Sequence, residues 1–314
     1  MKKYKFLFLL LFSAYFLSGC FLSGKDPQKD GNDKEKSITP EVVQVVLNAP
    51  DDSVIFEKFF HDIDSDKLKS EELSDIIIKV ALYFEETPYV ANTLDISDEE
   101  KLVINFREFD CTTFVENVLG LSFMIKNGDS SISDFIEYLR SLRYRDEVIS
   151  GYPSRLHYFT DWLYHNERKG IVEIVSNDLG NKDFDASVYF MSENPEKYPV
   201  LSRNPVFVKD MSAIENEISG YDFKYVSSDY ISEITDSVKN GDIIAFTTNI
   251  GGLDVAHLGF AYFTNAELHF IHASTNGNRV RISEQTMEEY VSGKSHINGV
   301  LIARPKEDYS LSKN

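Results

Sequence analysis

An α+β fold is expected, with a helical first half laid on an antiparallel sheet from the second half. Two patterns lead to it. Between residues 70 and 163 the apolar side chains recur three and four positions apart, which is helical periodicity. From residue 171 onward they fall into short β-branched and aromatic runs between turn residues, which reads as strands. Helices grouped ahead of strands give segregated layers, whereas strict alternation would give a parallel sheet.

The chain opens with Met1-Lys2-Lys3-Tyr4-Lys5, a short positive region, followed by an almost wholly apolar run from Phe6 to Leu17. That run is too short for a comfortable membrane span and reads as a signal peptide. It ends in Leu17-Ser18-Gly19-Cys20, which resembles a bacterial lipoprotein processing box. The resemblance implies cleavage before Cys20, diacylglycerol on its sulfur, and export to an envelope membrane with the domain facing the periplasm. Residues 21–40 are mostly polar and form a flexible tether. Residues 41–306 read as a single domain and 307–314 as a tail. The formal net charge is −19 and the pI about 4.8. No basic run follows the leader, so nucleic acid is excluded as a partner, because backbone binding needs Lys and Arg patches. A monomer is expected.

Within the domain, Glu41 to Ala49 is expected as a short helix after Pro40. Ser70 is expected to cap a longer one, burying Leu73, Ile76, Ile77, Val80, Ala81 and Phe84 and ending near Pro88. The next helix starts at Asp110-Cys111 and buries Phe114, Val115, Val118, Leu119 and Ile125. Another carries Ile132, Phe135, Ile136, Leu139 and Leu142. Ser154 to Leu163 leads into a short helix that Gly170 can stop. Strands are expected over Ile171 to Val175, Pro205 to Val208, Asp242 to Thr247, His257 to Phe263, Leu268 to Ala273 and Val300 to Arg304, with a short helix at Met287 to Val291.

The chemistry centres on Cys111. Asp110 is a good N-cap, so the cysteine falls in the first helical turn, where free N–H groups and the helix dipole favour a thiolate. The sequence has two cysteines; with Cys20 committed to lipid, Cys111 is left without a disulfide partner in the mature chain. A base is available at His257. On a strand it shares a face with Gly259 and Ala261, small neighbours that leave room beside the ring. His272, on the next strand, is placed to bond the His257 ring and fix its tautomer, while His269 points to the other face. Arg155, His157 and Asp161 make a dense polar cluster beside aromatics, open to two readings: a substrate groove or surface ion pairs.

Asp-Cys opening a helix, Gly241-Asp242-Ile243 opening a strand, then His257-Leu258-Gly259 and His272-Ala273-Ser274-Thr275 on consecutive strands resemble the NlpC-type cysteine peptidases, a papain-like superfamily acting on bacterial cell-wall peptides. The resemblance implies Cys111 as nucleophile, His257 as base and His272 as the third member. It also implies Tyr89 of Pro88-Tyr89 as a residue of the oxyanion site. Four blocks, Thr87 to Ala91, Asp110 to Asn117, Ser154 to Trp162 and Gly252 to Phe260, are together similar to exported proteins of the N-acetylmuramoyl-L-alanine amidase-like branch. That resemblance implies peptidoglycan as substrate, hydrolysis of the amide between muramic acid and L-alanine, and no cofactor. Three other readings stay open: an endopeptidase cutting the D-glutamyl–diamino acid bond, a zinc amidase built on His257, His272 and Asp254, and a non-catalytic cell-wall-binding lipoprotein.

Overall fold

Capping chemistry sets several helix starts in the computed structural model, which describes residues 45–47, 50–185 and 187–311. The leader, Cys20 and the whole tether region lie outside the described residues. In chain order the elements are β1 (Val45–Leu47), α1 (Pro50–Asp62), α2 (Ser65–Leu68), α3 (Leu73–Tyr83), β2 (Leu102–Ile104), α4 (Cys111–Asn127), α5 (Ile132–Arg143) and α6 (Phe159–Arg168). Then follow β3 (Val172–Glu173), α7 (Ser176–Leu179), β4 (Lys182–Phe184), α8 (Phe190–Glu193), α9 (Pro199–Arg203), α10 (Pro205–Ile218), β5 (Phe223–Ser227) and α11 (Ile231–Ile234). The chain closes with β6 (Ile243–Thr248), β7 (Val255–Thr264), β8 (Glu267–Ser274), β9 (Arg279–Ile282), α12 (Met287–Ser292) and β10 (Ile297–Pro305).

The architecture is α+β, with one antiparallel sheet in the order β4-β5-β10-β6-β7-β8-β9 and β3 added to the end of β10. Strand alternation separates two cores. Leu258, Phe260, Ile271, Ala245 and Leu301 point to the helical side, where they join α3 to α6. Phe246, Ala261, Phe270 and Ile302 point to the other side, under α11 and α12.

Helix α4 is the central post. Asp110 accepts the Thr113 N–H at 2.8 Å, and the Thr113 hydroxyl accepts the Asp110 N–H at 3.0 Å, so both ends of a capping box are made. Every residue from Thr113 to Ile125 is buried. A helix buried all round lies inside the molecule rather than on its surface. Gly128, at φ +75°, ends it in the left-handed conformation that glycine adopts without strain. Phe114 meets Phe260 of β7 at 5.9 Å between ring centres, which seats the post on the sheet.

Several expectations are corrected. Where the structure describes Glu41 to Ala49 it shows a strand: Val45, Val46 and Leu47 pair in parallel with Leu102, Val103 and Ile104. The helix begins at Pro50, and the first helical position suits proline because its missing N–H has no partner there anyway. Ser70 does not cap α3; its hydroxyl donates to the Lys67 carbonyl at 2.9 Å, and the Leu73 N–H donates to the Glu307 carboxylate at 2.8 Å. Pro205 to Val208 is the first turn of α10, not a strand. Asn204 accepts the Val206 and Phe207 N–H groups, and Met211, Glu215 and Ile218 give the buried stripe. Strands β4, β5 and β9 were not expected from the pattern, being short and partly polar.

Candidate active site

Two hydrogen-bonded rails deliver the residues around Cys111. The segment after α3 runs along β9, with the Glu86 and Tyr89 N–H groups donating to Val280 O and Asn278 O. It then runs beside the approach to α4, where the Val90 N–H donates to Phe109 O and the Phe109 N–H to Pro88 O. Tyr89 is thereby held half-buried next to Asp110 and Cys111. Burial and the negative charge of those two neighbours push its hydroxyl up to about 12.

The second rail is β7. The Ala261 N–H donates to Asp242 O, so alternation turns the Leu258 N–H away from β6 and toward β8. Strand β7 pairs with β8 from Phe260 opposite Ile271 to Thr264 opposite Glu267. Beyond Phe260, toward the start of β7, the Leu258 N–H is near enough to the Cys111 sulfur to favour its thiolate. The thiol at the start of α4 thus lies near Leu258, the residue next to His257.

A bulge aims His257. Phe246 faces His257 and Thr247 faces Val255, so Ala256 is the extra residue. Such bulges re-aim a neighbouring side chain. The His257 ring lies against Phe246 at 6.0 Å and Tyr290 at 6.3 Å between ring centres. Its Nε2 is 2.6 Å from Nδ1 of His272, which is only 4% exposed. Gly259 permits this pairing: a Cβ there would sit 2.8 Å from the Ile271 carbonyl and 3.2 Å from the His272 Cβ. The structure thus brings His257 and His272 together and sets Cys111 beside Leu258.

The electrostatics differ from what the helix start alone implies. Burial, then the Asp110 carboxylate, push the Cys111 thiol up to about 12, against the pull of the Leu258 N–H, the Thr112 hydroxyl and its own N–H. The expectation of a lowered thiol pKa is therefore corrected for the substrate-free protein: desolvation outweighs the helix terminus. Burial and the Lys294 ammonium hold His257 down at about 4. Burial, His257, Arg281 and Lys294 hold His272 down at about 2. At neutral pH the resting state is a protonated thiol and two neutral imidazoles.

A cavity of about 200 Å³ opens beside Asp110 and Thr112, with Asp95, Tyr152, Arg155 and His157 in its wall. Arg155 is 6% exposed, pairs with Asp95 at 2.6 Å and Glu100 at 3.7 Å, and lies 4.9 Å from the Tyr152 ring centre. His157 bonds the Tyr152 carbonyl through Nε2 at 2.8 Å, and burial with Arg155 nearby holds it well below the usual histidine range. Deeper in the wall, Arg143 donates to Glu116 at 2.7 Å. Arg155 is therefore buried and His157 half-buried in the wall of this cavity, and the ion pairs of Arg155 are not surface ones. Asp161 faces elsewhere: it takes Arg145 at 2.6 Å and Tyr221 at 3.3 Å, and burial pushes its carboxyl up to about 6. Asp254 is held by the Thr160 N–H at 2.8 Å and hydroxyl at 2.9 Å, so it does not join His257 and His272 in a three-residue donor set. Tyr290, Arg281 and Lys294 were missed by sequence reasoning; only the fold brings them, from α12, β9 and the segment after α12, to the histidine pair.

Comparison with known proteins follows the same lines. Residues 79–299 match a family model, AmiA-like, described as N-acetylmuramoyl-L-alanine amidase-like. No curated protein matches the chain. Among solved structures, an N-acetylmuramoyl-L-alanine amidase from Bacteroides uniformis superposes with a TM-score of 0.72 at 35% identity, covering 74% of this chain and 99% of its own. A Bacteroides fragilis protein with the provisional name of a xylanase gives 0.69 at 37% identity, covering 72% and 99%. Protein LPG0564 from Legionella pneumophila gives 0.59 at 20% identity, covering 81% and 96%, a likeness of fold alone.

Proposed function

Because the chain belongs to the N-acetylmuramoyl-L-alanine amidase-like family of peptidoglycan-acting hydrolases, we propose that it hydrolyses the amide between the muramic acid lactyl group and L-alanine, with Cys111 as nucleophile on a papain-like, NlpC-type scaffold. The observation that carries this reading is the 2.6 Å His257–His272 pair, one residue along β7 from the Leu258 N–H that lies near the Cys111 sulfur.

The resting charges decide the order of events. The thiol is protonated and His257 is neutral, so the proton moves as the substrate is attacked. With its Nε2–H donated to His272 Nδ1, His257 keeps Nδ1 free as the base. Nδ1 takes the thiol proton while sulfur bonds the amide carbon. The carbonyl oxygen becomes an oxyanion, stabilised by the Cys111 N–H at the start of α4 and by the Tyr89 hydroxyl. The tetrahedral adduct collapses, the C–N bond breaks, and His257 gives the proton to the departing L-alanine amine. Water then attacks the thioester, His257 takes its proton, and the lactyl carboxylate leaves as the thiol re-forms. His272 positions His257 throughout. The cavity lined by Arg155 and His157 is the part of the groove that holds the substrate. Such a substrate lies in the envelope, which fits a lipid anchor on Cys20.

The test is digestion of defined muropeptides with mass analysis, wild type beside Cys111→Ala. Intact stem peptide beginning at L-alanine supports the amidase. A sugar still carrying the L-alanyl-D-glutamyl dipeptide moves the assignment to the endopeptidase. Equal turnover by Cys111→Ala refutes the cysteine mechanism, and no turnover with retained binding leaves a cell-wall-binding lipoprotein. Loss of palmitate labelling in Cys20→Ser tests the anchor.

A further inference from the structure

The face of His272 turned away from His257 opens into a second cavity. It measures about 150 Å³ and lies between the end of β8, strand β9 and α12, with His272, Ser274, Arg281, Ser283, Tyr290 and Lys294 in its wall. His272 is 4% exposed and its Nδ1 is taken by His257, while among the described residues its Nε2 has no hydrogen-bond partner. The tautomer the mechanism needs puts a proton on that Nε2, so the ring has a donor left over in the cavity wall. Two cations join it. Lys294 stands over the Tyr290 ring at 4.6 Å, and Arg281 is partly buried, held by Glu284 at the rim. In a chain of net charge −19 this is a concave site with more positive than negative side chains in its wall.

We propose that this cavity binds a small oxyanion, a carboxylate or phosphate group, hydrogen-bonded by His272 Nε2–H and countered by Lys294 and Arg281, and that its occupancy raises the basicity of the histidine pair. The volume suits one such group. The regulatory half of the proposal rests on the proposed catalytic role of His257; the binding half does not. The groups around the pair are Tyr290, Arg281, Lys294 and Glu284 in the cavity wall, with Cys111 near Tyr290. Burial is the chief cause that holds both imidazoles low; Lys294 adds to it at both rings and Arg281 at His272, and an anion between these cations removes their share. The anion has two sources, a free ion or a carboxylate of the stem peptide.

The experiment is nitrogen NMR of the histidine rings, titrated with inorganic phosphate and separately with acetate at constant ionic strength. A saturable shift at His272 Nε2 is expected, weakened at least about tenfold in Lys294→Met and restored in Lys294→Arg. A linear response, equal in wild type and Lys294→Met, overturns the binding site. Where Lys294→Met fails to fold, Arg281→Met serves with the same readings. On muropeptide substrate, kcat/KM should rise about fivefold or more on saturation with free anion, a usual size for coupling between sites. If substrate lacking a free carboxylate responds to phosphate and the full stem peptide does not, the peptide itself supplies the anion. Binding without any change in turnover of either substrate overturns the regulatory role and leaves the catalytic reading untouched.

Discussion

A thiol protonated at rest has a signature that a resting thiolate lacks. Alkylation of Cys111 by iodoacetamide at pH 7 without substrate should run at least about tenfold slower than that of free cysteine, since the thiolate fraction falls tenfold per pKa unit. Fast alkylation in that pH range would show a standing ion pair instead. The base sets the acid limb of the rate. His257 must be neutral to accept the proton, and its pKa is lowered to about 4. Activity should therefore persist well below the ordinary histidine range and fall as pH drops through about 4, read from kcat/KM against pH. Gly259→Ala tests the histidine pair. Its Cβ would press on the Ile271 carbonyl and His272, costing about 1–3 kcal/mol as overpacking does, with a larger fractional loss of kcat than of folded protein. Sequence set His257 beside His272 because residue type and strand spacing along one chain were enough. It misjudged the thiol because burial depends on what the rest of the chain lays over it.

Elements differ in how much of their making is local. The starts of α4 and α5 are readable: Asp110 with Thr113, and Ser131 with Asp134, form reciprocal caps across three residues. The start of α10 holds the same kind of information in Asn204 and Pro205, but the β-branched run behind it reads as a strand until Met211, Glu215 and Ile218 are counted. What no local pattern shows is how α4 and α5 are joined. Glu116 and Arg143 are buried, and Arg143 also donates to the Val103 carbonyl at 2.7 Å. Removing one partner should be severe: Arg143→Met is expected to cost about 3–5 kcal/mol by urea unfolding, because Glu116 is left as an unmatched buried charge. The double variant Glu116→Leu with Arg143→Met should cost less than the single one. If the costs add instead, the two side chains are not coupled.

At the scale of the molecule, chain order foretold helices before strands, and the sheet and its helical cover keep to that. It did not foretell that the last residues fasten the first helices. Glu307 caps α3, Tyr309 packs on Phe123 at 4.9 Å between ring centres, and Asn127 donates to the Tyr309 carbonyl at 3.0 Å. Ending the chain after Lys306 should lower stability by roughly 1–3 kcal/mol, the loss of one half-buried aromatic and its bonds. The melting temperature should fall by several degrees while turnover per folded molecule holds. An unchanged melting curve would show these contacts to be idle. The rail that delivers Tyr89 has a separate consequence. Strand β9 ends the sheet on that side, and its outer backbone is matched to Glu86, Thr87 and Tyr89, with Pro88, which has no N–H to donate, set against Arg279. At the opposite margin β4 is three residues long and bears Lys182 and Asp183. Neither border offers a neighbouring copy a bare, flat ribbon to zip onto, so crowding at high concentration should leave the protein dispersed rather than fibrous.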